Sequence, residues 1–126
     1  MTTFLKPTDS ELSILQQLWK NGPSTVRSIH ENLPQKNVGY TTILKLMQIM
    51  NVKGLLLRNT DMRSHVYRAN ISEKEVQTTM LKKVIDTAFK GSTYSLVLEA
   101  LGSKRVSQEE IEEIRELINK LENENL

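Results

Sequence analysis

The chain holds 126 residues with a formal net charge of +2, and 38% of them are hydrophobic, a low share for a monomer that must build its core alone. With no cysteine there is no disulfide and no thiolate metal site, and no apolar run approaches the roughly 18–20 residues that span a bilayer. Met1–Pro7 lacks the basic-then-apolar layout of a signal peptide, so a cytoplasmic protein with no direct membrane insertion is expected.

Thr8-x-x-Glu11 has the spacing of a capping box, in which two free backbone N–H groups are satisfied reciprocally. Leu12, Leu15, Leu18 and Trp19, with Ile14 beside them, then repeat at helical spacing, and Trp19 is expected in the core. Asn21-Gly22-Pro23 stops this helix. Ser24 is the expected cap of a short second helix that carries Val26, Ile29 and Leu33 inward and ends at Pro34. After a polar turn, Gln35–Gly39, a third helix is expected from Tyr40 to Lys53, with Ile43, Leu46, Met47 and Met50 as its buried stripe. Thr41, Lys45 and Gln48 lie on its opposite face with Leu44 beside them, and Gly54 suits the C′ position. Leu55–Arg58 and Val66–Arg68 read as two short strands around the polar turn Asn59–His65.

Ser72-x-x-Glu75 opens the second half with another capping box, and a helix is expected to reach Phe89. Gly91 interrupts it, Thr93–Leu101 makes a short apolar helix, and Gly102 breaks the chain again. Ser107-x-x-Glu110 caps a final helix with Ile111, Ile114, Leu117, Ile118 and Leu121 along one side. This segment has no globular core of its own in the sequence. Packing of Leu96, Val97, Leu101 and the final helix's stripe against a second copy of the chain is the economical way to keep it dry. The expected architecture is mainly α with a small β wing: a winged helix-turn-helix over 1–71 and a helical dimerisation domain over 72–126.

The modest net charge hides a split. From Met1 to Ile71 nine Lys/Arg stand against four acids; from Ser72 onward eight stand against eleven. A basic front and an acidic back point to a polyanion met by the front alone. Reading double-stranded DNA takes a helix that fits the major groove and side chains that reach base edges from its N-terminal part. Tyr40, Thr41, Thr42, Lys45 and Gln48 supply these on the third helix. Arg63 and His65 at the wing tip, with Arg58 and Arg68 on its strands, suit phosphate contacts that fix register. For Arg68 a surface salt bridge is the competing reading, and Arg27 suits either a phosphate or a pair with Glu31 four residues on.

Several pieces of the chain, in this order and spacing, resemble a known group: Leu12–Trp19 before a Gly-Pro turn, Ser24-Thr-Val-Arg27, Tyr40-Thr-Thr-Ile43, Lys53-Gly-Leu55, Arg63-Ser-His-Val-Tyr-Arg68 and Ser107-Gln-Glu-Glu-Ile-Glu-Glu-Ile114. That group is the penicillinase-repressor family, also called BlaI/MecI/CopY. The resemblance implies a homodimer on a palindromic operator, with inactivation when a partner transmembrane sensor metallopeptidase triggers cleavage. It places the cleavage in Tyr94–Leu101, where other members carry an Asn-Phe bond and this chain has Glu99-Ala100. Many members also carry Arg late in the third helix, where this chain has Gln48 and Ile49. The copper-responsive branch uses a C-terminal cysteine cluster, which this sequence lacks.

Catalysis finds no support: the sequence offers no nucleophile–base pair, Gly-rich phosphate loop or pocketed carboxylate pair. No enzyme activity, cofactor or metal is expected, since His30 and His65 are two isolated histidines far apart in the chain. The alternative to a repressor is a protein-interaction adaptor that uses a winged-helix scaffold without touching DNA.

Overall fold

The computed structural model describes residues 6–35, 37–61, 63–103 and 106–125. Helix α1 (Asp9–Asn21) begins at the expected capping box. The Thr8 N–H donates to Glu11 Oε1 at 2.9 Å, and the Glu11 N–H donates to Thr8 Oγ1 at 3.2 Å. Gly22 ends the helix at φ 80°, a backbone state that glycine adopts without steric cost. Strand β1 (Ser24–Thr25) follows and runs directly into α2 (Val26–Asn32).

The cap of α2 is Thr25, not Ser24: Thr25 Oγ1 accepts from the Ser28 N–H at 3.2 Å. Ser24 is held in β1 instead, and its hydroxyl donates to the Gly22 carbonyl at 2.8 Å. Helix α3 (Tyr40–Lys53) has the expected bounds and ends at Gly54, which is left-handed at φ 87°. Strands β2 (Leu56–Asn59) and β3 (Val66–Ala69) form the wing, each displaced or extended by one residue from the expected range. The sheet has the order β1-β3-β2 and is antiparallel throughout, with Ser24 opposite Tyr67 and Arg58 also opposite Tyr67.

The three helices and the sheet close over one core. Ile14, Leu15 and Leu18 come from α1, Val26 and Ile29 from α2, Ile43, Met47 and Met50 from α3, and Leu56 and Tyr67 from the sheet. Each fully buried side chain of this size stabilises the fold by roughly 1.5–3 kcal/mol relative to exposure. Leu46 is only half-buried, so the inward stripe of α3 is narrower than expected. Trp19 packs against the core, and its indole N–H donates to the Ile71 carbonyl at 2.9 Å.

One acid is buried with this core. Glu11 is 2% exposed, and its second oxygen accepts from Lys53 Nζ at 2.8 Å, tying the start of α1 to the end of α3. Burial pushes the Glu11 carboxyl up, but the Lys53 ammonium and the Thr8 donors together outweigh it and hold the group below its ordinary value.

The chain divides into two compact units, Met1–Leu81 and Lys82–Leu126. The first runs beyond Ile71 because α4 (Glu73–Ala88) sends Val76 into the core and packs Met80 against it. Ser72 and Glu75 cap α4 as expected, with the Glu75 N–H donating to Ser72 Oγ at 3.0 Å. The second unit holds the end of α4, then α5 (Thr93–Gly102) and α6 (Gln108–Glu124). Gly91 makes the break between α4 and α5 at φ 82°. Ser107 caps α6, its Oγ accepting from the Glu110 N–H at 3.1 Å. Neither α5 nor α6 buries a residue among those described.

Candidate nucleic-acid interface

Helix α3 presents its N-terminal half outward. Tyr40, Thr41, Thr42, Lys45 and Gln48 are all exposed, as sequence reasoning expected, while Ile43, Met47 and Met50 anchor the opposite side in the core. A helix fixed on one face by three buried side chains holds the other face at a defined angle.

Beside α3 lies a cleft of about 360 Å³ lined by Thr25, Val26, Arg27, Tyr40, Leu44, Arg63, Ser64, His65 and Tyr67. It gathers Arg27, Tyr40, Arg63 and His65, four candidate contacts from three separate elements. The pairing of β1 with β3 explains the convergence. Thr25 sits opposite Val66, so the start of α2 and the start of β3 are neighbours, and Arg27 is carried to the wing tip. Among the described residues the lining has two guanidinium groups and no carboxylate. Such a cleft favours an anion.

A second recess of about 220 Å³, lined by Thr41, Thr42, Lys45, Leu46 and Ile49, lies along the outer side of α3. Ile49 is 40% exposed, and sequence reasoning did not single it out for an apolar role on this face. The available signal was its position four residues after Lys45, on the same helical face. Leu44 is half-buried in the first cleft and is not part of the solvated face.

Arg58 and Arg68 stand apart from this arrangement. They border a different recess, with Pro23, Leu57, Asn59, Thr60, Asp61 and Val66. Arg68 pairs in register with Leu57, whereas Arg58 pairs with Tyr67. Among the described residues Arg68 makes no ion pair.

The model of the penicillinase repressor family matches residues 7–120. The chain belongs to that family. Its membership, together with the winged-helix fold, makes it a DNA-binding transcriptional repressor. Among family relatives, the methicillin resistance regulatory protein MecI of Staphylococcus aureus is 29% identical over 112 residues, covering 88% of this chain and 91% of MecI. The transcriptional regulator BlaI of Mycobacterium tuberculosis is 28% identical over 117 residues, covering 90% of this chain and 83% of BlaI. Of solved structures, the DNA binding domain of the repressor BlaI superposes with a TM-score of 0.51 at 24% identity, covering 60% of this chain and 93% of that domain. A MarR family protein from Bacillus stearothermophilus gives a TM-score of 0.50 at 23% identity, covering 95% of this chain and 76% of that one.

The remaining candidates of this repressor fall in the second unit. Val97, Leu101, Leu117, Ile118 and Leu121 are exposed, and Leu96, Ile111 and Ile114 are half-buried. Leu101, Ile111, Ile114 and Ile118 share the lining of a recess of about 200 Å³. Glu99 and Ala100 are exposed on α5. No helix among the described residues is long and apolar enough to cross a membrane.

Proposed function

We propose that this chain represses transcription as a homodimer on a palindromic operator, reading bases with α3 and holding the backbone with Arg27 and the wing. The observation that carries this reading is the acid-free cleft joining Arg27, Tyr40, Arg63 and His65 at the N-terminal end of an outward-facing α3. A major groove about 12 Å wide admits such a helix. Thr41 and Thr42 then meet base edges or thymine methyls, Gln48 pairs bidentately with adenine, and Lys45 reaches guanine or phosphate. Arg27, Arg63 and His65 contact phosphates on either side, which sets register and affinity while carrying little sequence information. Tyr40, which lines the cleft, offers its hydroxyl to the same backbone.

The dimer rests on the wet apolar side chains of the second unit. Leu98 is 59% exposed, Leu117 54% and Ile118 49%, more apolar surface than a short helix pair keeps in water without a partner. Repression ends, in this reading, when a membrane sensor metallopeptidase signals cleavage of α5 at Glu99-Ala100. The dimer interface shelters that segment, and a protease must first unravel the helix locally. A cut there separates the dimerising end from the DNA-binding front, so two linked contacts become two weak independent ones.

The test is a gel-shift of the full chain on DNA from upstream of its own gene, in the presence of excess random duplex. A competitor-resistant complex is expected. Failure to bind any duplex would shift the balance to the protein-interaction adaptor. A blot of induced cells checks the switch: derepression should coincide with a shortened chain, and derepression with full-length protein alone would discard cleavage.

A further inference from the structure

Helix α3 starts without a capping side chain. Gly39 occupies the N-cap and makes no side-chain hydrogen bond, so the entry into the DNA-reading helix lacks the device that fixes α1, α2 and α6. A residue from the preceding helix stands next to it. His30 of α2 is half-buried, and its Nε2 lies 2.8 Å from the carbonyl of Val38, the residue before the cap. A carbonyl can only accept, so Nε2 carries the proton and donates. The same imidazole meets the ring of Tyr40, the first residue of α3, in an edge-to-face contact with centroids 6.1 Å apart and planes at 89°. One side chain thus touches the residues on both sides of the uncapped start. Tyr40 is in turn a wall of the cleft that holds Arg27, Arg63 and His65.

We infer that His30 is a positioning residue for DNA recognition: it fixes the start of α3 and the direction of the Tyr40 ring. The imidazole leaves the free N–H groups of the first turn to solvent; it holds the residue before the cap by its own N–H and the tyrosine by its ring. It does not itself touch DNA. Restricting Tyr40 before binding lowers the ordering cost at the interface, so its effect belongs to operator affinity. Edge-to-face aromatic pairs and single hydrogen bonds are each modest, and together they correspond to about a three- to tenfold change in dissociation constant.

This inference rests on the proposed role of α3 in DNA reading, and the experiment separates the two. The full chain, His30→Ala, Tyr40→Ala and the double variant are titrated against duplex from upstream of the gene and against a scrambled duplex of equal length. Thermal unfolding is followed in parallel. His30→Ala should weaken operator binding three- to tenfold, while in the Tyr40→Ala background the same change should cost less than twofold. His30→Gln, which keeps an N–H donor, should recover part of the loss, and it serves as the working variant if His30→Ala does not fold. An unchanged operator affinity in His30→Ala, or the same factor lost with and without Tyr40 in whichever His30 variant folds, would overturn the inference. Failure of the unmodified chain to prefer its upstream duplex would instead remove the DNA-reading role, and this inference with it.

Discussion

Glu11 shows how a residue can do two structural jobs at once. It completes the cap of α1 and receives Lys53 at 2.8 Å from the end of α3. Its carboxyl is held below its ordinary value near 4.5, so the stability it contributes is fully present above that value and is lost as pH falls through the lower, folded one. Glu11→Gln should therefore flatten the acid limb of a stability profile. Glu11→Ala should cost about 1–3 kcal/mol, because a cap and a buried ion-pair partner go together, while Lys53, about a third exposed, is partly compensated by water. Urea unfolding between pH 3 and 7 measures both. The capping box was legible in Thr8-x-x-Glu11, but the partner 42 residues away was not, since local spacing says nothing of what a third helix brings back. At the interface, Gln48→Ala or Thr42→Ala should cost about 1–3 kcal/mol at one base position in each half-site. Arg63→Ala should weaken all sequences alike and flatten the salt dependence. Competition titrations with single-base operator variants separate these outcomes.

Helices α1 and α3 were legible because their signals are local and agree: cap or turn, apolar period, then Gly22 or Gly54 in a positive-φ state. Gly54→Ala should cost about 1–2 kcal/mol by that backbone state alone, since an added Cβ meets nothing within 4 Å. A parallel loss at Gly39, whose φ is ordinary, is not expected, and the two melting curves compare them. Strand β1 was not legible. Two residues carry no period, and Ser24-Thr25 reads as a cap until the pairing with Tyr67 and Val66 is seen. That pairing holds Ser24 extended and leaves Thr25 as the last non-helical residue, which is why the cap moved by one. The same strand brings Arg27 to Arg63, so the most informative feature of the interface depends on a contact between distant segments. The individual residues were visible in sequence; their convergence was not, and neither was the separation of Arg58 and Arg68 from them.

At the scale of the whole molecule, the basic excess lies in the front part of the sequence and the wet apolar side chains in the second compact unit. Leu117→Glu with Ile118→Glu should yield a monomer by light scattering while the winged helix stays folded, because neither residue belongs to its core. A fragment ending at Leu81 should be folded and monomeric; ending it at Ile71 would remove Val76 from that core and destabilise it. Both changes should weaken operator binding by breaking the linkage between two half-sites. In the proposed dimer, two copies of α3 enter successive major grooves of one operator. Hydroxyl-radical footprinting of the full chain on DNA upstream of its gene tests it most directly. Two related protected patches on one face of the duplex, about one helical turn or a multiple apart, are the expected result. A single isolated patch, or uniform protection without position, would contradict it.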